Sequence, residues 1–214
     1  MKVNEIFTSI DGEVNKWGQG TLSTFVRFQG CNLACSYCDT QYASDKSWGR
    51  SVSPDEIFDA VHGVGCRKVT ITGGEPLLQP WSELVSLIME MVQYSYKISM
   101  ETNGSVLPPM ALSRLEELNF VFDYKLPSSG MEGEMHAEVF PFMREDDYIK
   151  FVVRDRVDYM GAVEVLKTKY VRGRVAFSPV YGILSAKQLM QWLISDRLFN
   201  VQLNLQLHRV VDVK

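Results

Sequence analysis

The chain has 214 residues, 46% of them hydrophobic and 22% charged, with a formal net charge of −4. That length suits one sizeable domain of ordinary globular composition, and the slight acidity argues against a broad nucleic-acid surface. No apolar run approaches the ~20 residues that span a bilayer, and Met1-Lys2-Val3-Asn4-Glu5 lacks a signal peptide's apolar core, so a cytoplasmic protein with reduced thiols is expected.

Residues 3–10 form a short apolar stretch that ends in the turn-like Asp11-Gly12-Glu13, and residues 15–20 continue as loop. Residues 21–29 have the β-branched and aromatic content of a strand, with Arg27 on the face opposite Val26 and Phe28. The next loop holds three of the four cysteines, Cys31, Cys35 and Cys38, spaced C-x3-C-x2-C. Cys66, the fourth, is far from them in sequence and is expected to be a small buried residue.

Ser53-Pro54-Asp55-Glu56 predicts a helix start, with a capping serine, a first-turn proline and a glutamate three positions after the cap. Residues 68–72 predict a strand that runs into Gly73-Gly74-Glu75-Pro76, and a helix follows over 81–92. A strand over 97–101 ends in Thr102-Asn103-Gly104, with a helix expected after Pro108-Pro109. Residues 119–125 predict a strand, and a further helix near 134–143 is interrupted by Pro141. Beyond it come a strand (148–153), a helix (155–169), a strand (175–177), a helix (185–195) and a last strand (201–207) ending at His208.

Strand and helix alternate through short connections, which predicts a mostly parallel sheet with right-handed crossovers. Polar motifs recur where the strands end: the cysteine loop, Gly73–Pro76, Glu101–Gly104, Lys125–Ser129, Ser178–Tyr181 and His208. In barrels and open α/β sheets that rim binds ligands, so a single site built from six strand ends is expected.

Three thiolates on so short a loop can face one metal centre, but they supply no fourth ligand. A structural zinc site takes four protein ligands, usually from two separated pairs. An iron–sulfur cube held by three cysteines leaves one iron open, and this spacing differs from those of electron-transfer ferredoxins. With Tyr37 before the last cysteine, the loop resembles that of the radical S-adenosylmethionine (SAM) enzymes. That resemblance implies a partial, open (β/α)6-type barrel over residues 1–214, a [4Fe–4S] cluster on Cys31, Cys35 and Cys38, and SAM on the open iron. Gly73-Gly74-Glu75-Pro76 resembles the segment that binds the SAM amino group. By similarity, SAM contacts are expected at Tyr37, Cys38, Asp39, Gly73, Gly74 and Glu75, and also at Glu101, Asn103, Asp123, Lys125, Ser178 and Tyr181. Taken alone, each has a plainer reading as a turn or a cap.

The two ends of the chain narrow the resemblance. Glu5-Ile6-Phe7, Ile10-Asp11-Gly12-Glu13, Phe25 to Cys31, Cys38-Asp39-Thr40, Lys125 to Gly130 and Gln206-Leu207-His208-Arg209 together resemble the 7-carboxy-7-deazaguanine synthase family. That implies a lyase acting on 6-carboxy-5,6,7,8-tetrahydropterin, with Mg²⁺ at Thr40 and substrate contacts at Asp11, Gly12, Glu13, Arg27, Thr72 and His208. The chemistry suits these residues: Glu13 can accept from an aminopyrimidinone edge, Arg27 can fork onto a carboxylate, and a hydroxyl suits a hard cation. The resemblance also implies an external one-electron reductant of flavodoxin or ferredoxin type, a homodimer, no direct nucleic-acid partner and no membrane. The sequence departs from the family pattern at Asp11 (usually glutamine), at Val14 (usually glycine), and at Asp123-Tyr124-Lys125 (often Ser-Pro-Lys). A glycyl-radical activating enzyme and a non-catalytic zinc or iron–sulfur module are the rival readings.

Overall fold

A computed structural model describes residues 1–47 and 49–214. The chain opens with an antiparallel hairpin of β1 (Lys2–Ile10) and β2 (Leu22–Phe28), in which Glu5 lies opposite Arg27 and Phe7 opposite Phe25. A two-residue strand that the sequence did not announce, β3 (Arg50–Ser51), pairs with the outer side of β1. The strand–helix alternation therefore begins only after β2. The loop between β1 and β2 carries no helix, and without a crossover the two strands meet antiparallel.

From β2 onward each neighbouring strand is parallel: β4 (Lys68–Gly73), β5 (Lys97–Thr102), β6 (Leu118–Tyr124), β7 (Tyr148–Val153), β8 (Arg174–Pro179) and β9 (Val201–Leu203). The single sheet runs β3-β1-β2-β4-β5-β6-β7-β8-β9 and does not close. Its two ends nevertheless approach each other, since Phe7 of β1 and Tyr181 just after β8 line one cavity. This is the open, partial α/β barrel expected.

The helices cover the outer face. In α1 (Pro54–Val64) the capping box forms as read: the Ser53 hydroxyl accepts from the Glu56 N–H at 3.2 Å, and the Glu56 carboxylate accepts from the Ser53 N–H at 2.9 Å. Ile57, Phe58 and Val61 face inward, as do Leu84, Leu87, Ile88 and Met91 of α2 (Trp81–Gln93). They pack on Val69, Ile71, Ile98, Met100, Phe120 and Phe122 of the sheet, each fully buried; burying such side chains stabilises the fold by about 1.5–3 kcal/mol apiece. After a one-turn helix, α3 (Val139–Phe142), come α4 (Arg156–Thr168), capped by Asp155, and α5 (Ala186–Ser195), capped by Ser185. None of the helices among the described residues is long and apolar enough to cross a membrane.

Three predicted elements shrink. After Pro109 there is only a 3-10 turn, Met110–Leu112, because β6 starts too soon for a helix; Leu112 plugs the core instead. Near 134–143 only α3 forms. Its Pro141 lies where an N–H has no helical partner, and exposed Glu134 and Glu138 supply no apolar face. The last strand stops at Leu203: the Asn204 N–H closes the ladder on the Phe177 carbonyl at 2.8 Å, and the Asn204 side chain turns inward to Glu13 and Ser178. His208 thus lies on a short terminal helix, α6 (Leu207–Val210), rather than at a strand end.

Candidate active site

The carboxyl ends of the strands, the β1–β2 hairpin and the C-terminal segment enclose a cavity of about 730 Å³, within the range of small-molecule sites. Cys31, Cys35 and Cys38 line it together. Their loop is fixed at both ends. Cys31 donates its N–H to Ser44 O at 3.0 Å, and Ser36 donates its N–H to Ser129 O at 3.1 Å and its hydroxyl to Ser128 O at 2.6 Å. Two donors aim at the Cys31 sulfur, the Leu33 N–H at 3.4 Å and Asn103 Nδ2 at 3.6 Å. Such hydrogen bonds to sulfur tune a cluster's potential. Burial pushes the Cys35 thiol up, so metal ligation must displace its proton.

Cys66 sits just before the amino-terminal end of β4, away from the cavity. It is half-buried rather than buried, with its thiol donating to Lys68 O at 3.4 Å. Among the described residues no three His, Cys, Asp or Glu side chains are gathered closely enough to hold a single ion. Three thiols on one cavity wall fit a [4Fe–4S] cluster with one open iron better than a four-ligand zinc site.

At the end of β4, the Gly73 and Gly74 backbones line the cavity. A Cβ at Gly74 would lie 2.1 Å from Gly30 O, so only glycine lets this turn pack against the start of the cysteine loop. Glu75, expected to meet an ammonium group, instead turns into the protein. It is fully buried, and its carboxylate accepts from the Asn103 N–H (2.7 Å), the Thr102 hydroxyl (2.8 Å) and the Leu77 N–H (3.0 Å). Asn103 does reach the cavity, donating to Asn32 Oδ1 at 3.0 Å as well as approaching Cys31.

On the hairpin, the register that sets Glu5 opposite Arg27 forms an ion pair at 2.9 Å inside the cavity rim. Phe7 and Phe25, one pair further along the same face, stack at 5.0 Å, and the guanidinium lies 5.5 Å from the Phe7 ring centre. Glu5 would be raised by burial, but Lys214 and Arg27 hold it below the usual range. Arg27 is therefore presented as a cation with a planar apolar neighbour.

The cavity floor is a network of charges. Glu13 accepts from Lys150 Nζ at 3.0 Å, Asn204 Nδ2 at 2.5 Å and Gln206 Nε2 at 3.1 Å. Asp123 pairs with Lys125 at 2.6 Å and with Lys150 at 3.7 Å. Burial would raise Asp123, but the two lysines hold it below the usual carboxylate range. Glu101 accepts from the Thr72 hydroxyl at 2.8 Å, and burial pushes it up to about 7. Asp11 is deeper still, with one oxygen on Lys68 and Thr70 (2.9 Å each) and the other without a hydrogen-bond partner among the described residues.

The C-terminal segment closes the far side. His208 is half-buried beside Gly12, and burial lowers its imidazole. Gln206 reaches Asp39 at 3.4 Å and Arg209 reaches it at 3.5 Å, which binds the tail to the cysteine loop. Thr40, whose hydroxyl caps no turn, lies 3.7 Å from the Cys38 sulfur. Tyr37 and Tyr181 line the cavity, Tyr37 with a buried hydroxyl that has no hydrogen-bond partner among the described residues. Ser178 does not line it: its hydroxyl is buried behind Asn204, which donates to it at 3.1 Å.

Sequence reading therefore gathered most of one wall and missed the centre. Lys150 and Asn204 escape the sequence reading, and Gln206 enters it only within the terminal Gln206-Leu207-His208-Arg209 motif, with no site role. The signals were a lysine in the apolar strand Tyr-Ile-Lys-Phe-Val-Val and an asparagine in Val-Gln-Leu-Asn-Leu. A lone charge in a buried parallel strand needs a partner.

Fold and site together define a radical SAM enzyme, and the Radical SAM superfamily model matches residues 25–128. The chain is 37% identical to a 7-carboxy-7-deazaguanine synthase of Clostridium acetobutylicum, covering 98% of this chain and 95% of the relative. It is 34% identical to one of Koribacter versatilis, with 99% and 96% covered. The crystal structure of QueE from Escherichia coli shares the fold, with a TM-score of 0.74 at 21% identity over 95% of this chain and 92% of that one. The chain belongs to the 7-carboxy-7-deazaguanine synthase family. Membership brings a [4Fe–4S] cluster and SAM, which the three-cysteine donor set fits.

Proposed function

We propose that this chain, as one radical SAM domain over residues 1–214, converts 6-carboxy-5,6,7,8-tetrahydropterin to 7-carboxy-7-deazaguanine by ring contraction with loss of ammonia. The product feeds queuosine and archaeosine formation. The observation that carries this reading is the sharing of one cavity by three cluster-type cysteines, a guanidinium (Arg27) and an acceptor carboxylate (Glu13). When bound, the cluster and SAM supply a 5′-deoxyadenosyl radical for hydrogen abstraction.

The chain's own residues bind and orient. Arg27 takes the pterin carboxylate, turning from Glu5, while Phe7 and Phe25 give an apolar wall. Glu13 accepts from the aminopyrimidinone edge, with Gly12, Thr72 and His208 around the ring and Asp11 behind it. The Gly73–Gly74 backbone, Tyr37, Asp39 and Asn103 face SAM on the cluster side, with Asp123, Lys125 and Tyr181. Thr40 and Asp39 offer oxygens to Mg²⁺, which keeps waters or substrate oxygens as its other ligands. Holding the reacting carbon against the radical's source and excluding water is the protein's main contribution. An external flavodoxin- or ferredoxin-type reductant, a homodimer and a cytoplasmic location complete the reading.

Anaerobic turnover of the carboxytetrahydropterin with SAM, reductant and Mg²⁺ tests it. Formation of the deazaguanine and free ammonia is expected. A protein with an intact cluster that forms neither would overturn the assignment. Glycyl-radical activation is the weaker reading, because a peptide partner would not call for Glu13, Arg27, Thr40 and His208 together.

A further inference from the structure

Lys150 occupies the middle of β7, with Asp123 of β6 as its cross-strand partner. Its side chain is only 9% exposed, yet it lines the cavity. Two acids reach its ammonium from different walls. Glu13 comes from the loop after β1 and is held by the C-terminal Asn204 and Gln206. Asp123 comes from the cluster side, close enough to Cys35 and Tyr37 to act on both. Its Oδ1 is buried and has no hydrogen-bond partner among the described residues, although Lys150 stands 3.7 Å away.

A buried lysine carries a desolvation cost that persists only where acids compensate it. One pair would suffice for that. Here a single ammonium, with three N–H donors, spans the two halves of the site.

We propose that Lys150 is a positioning residue that links the pterin-facing carboxylate of Glu13 to the SAM-facing carboxylate of Asp123, so that filling either subsite tightens the other. The proposal rests on the substrate and cofactor reading given above. Bound SAM carries a sulfonium and an ammonium group. Either one, near Asp123, competes with Lys150 for that carboxylate. Lys150 then turns wholly to Glu13 Oε2, fixing Oε1 toward the donors of the aminopyrimidinone edge. The coupling is reciprocal, as linkage requires.

The test compares wild type with Lys150→Gln, Lys150→Arg, Glu13→Gln and the Glu13→Gln/Lys150→Gln pair. Iron, sulfide and visible absorbance confirm cluster loading. SAM and the carboxytetrahydropterin are then titrated calorimetrically, each alone and each with the other present. In wild type each ligand tightens the other. Lys150→Gln is expected to lower pterin affinity about tenfold or more and to abolish the mutual tightening. It also releases 5′-deoxyadenosine without product, and Lys150→Arg restores part of the coupling. Against Glu13→Gln, adding Lys150→Gln changes pterin affinity less than about twofold.

Additive losses in the pair, or undiminished tightening in Lys150→Gln, overturn the inference. Should Lys150→Gln alone fail to fold, the pair, which removes one buried charge of each sign, still decides by comparison with Glu13→Gln. Wild type that binds no pterin overturns the proposed substrate and this inference with it. Wild type that binds both ligands, with Lys150→Gln equally coupled, overturns the inference alone.

Discussion

The Glu75 carboxylate receives the backbone N–H of Asn103 at 2.7 Å, and so ties the end of β5 to the turn after β4. The acid of Gly-Gly-Glu-Pro is thus an internal strut, and the glycines before it present backbone to the cavity. Glu75→Gln would set an amide N–H₂ against donors that now meet oxygen, leaving at least one buried group unmatched. The expected cost is about 1–3 kcal/mol of stability, read as a lower urea midpoint of the cluster-free protein. An unchanged midpoint would contradict the strut.

The cysteines divide three to one. Replacing Cys31, Cys35 or Cys38 by alanine removes a corner of the cluster, so brown colour, iron and sulfide are expected to fall together. Cys66→Ala removes only weak thiol contacts to Lys68 O and Leu22 O and is expected to leave iron content unchanged. Iron loss in Cys66→Ala would mean that the fourth thiol takes part.

Much of this was readable from sequence because short-range rules governed it. The Ser53 capping box, the strand periodicity and the three-cysteine loop depend on neighbours a few residues apart. What escaped depends on distant partners. Lys150 looks like an oddity in its strand until Glu13, remote in sequence, closes on it. Glu75 looks like a ligand residue until the end of β5 supplies its donors. The helix expected after Pro109 failed because β6 begins too soon, a limit set by the sheet rather than by propensity.

Arg27 is held by Glu5 in the free cavity and is expected to transfer to the substrate carboxylate. Arg27→Ala should raise KM for the carboxylated pterin about 10- to 100-fold, as loss of a charge-assisted hydrogen bond predicts. A tetrahydropterin without the 6-carboxylate should bind wild type and variant alike. Equal weakening of both compounds would place Arg27 elsewhere.

The buried acids set an unusual pH profile. Burial lifts Glu101 and Glu75 from 4.5 to about 7. Between those values the folded chain holds protons that the unfolded chain has released, so stability falls as pH rises through that window. Asp123 and Glu5, held below their ordinary values, act oppositely, and their contribution is lost only as pH falls through the acid range; the single lowered imidazole of His208 also opposes the two raised acids within their window. The cluster-free protein should therefore be more stable near about pH 5 than near about pH 8, and Glu101→Gln should flatten the decline. A wild-type urea midpoint that climbs across that range would refute this.

Gly12 offers the sharpest geometric prediction. A Cβ there would lie 2.3 Å from His208 Nδ1 and 2.8 Å from the His208 backbone nitrogen. The imidazole can swing away, but the backbone cannot without moving the whole turn. That turn is bonded to Gly12 itself through the Leu207 N–H and Gly12 O at 3.2 Å, and its Gln206 reaches Glu13. Gly12→Ala is thus expected to push α6 outward, release Gln206 from Glu13 and open the cavity at the side where the tail meets Asp39. Gly12 is itself buried, two residues from the fully buried core residue Val14, so thermal stability should fall somewhat, while cluster content, set by the three cysteines, should stay near wild type. KM for the pterin should rise, and the C-terminal residues should become more susceptible to limited proteolysis. Gly12→Ala with an unchanged KM and a protected tail would show that this contact does not shape the pocket.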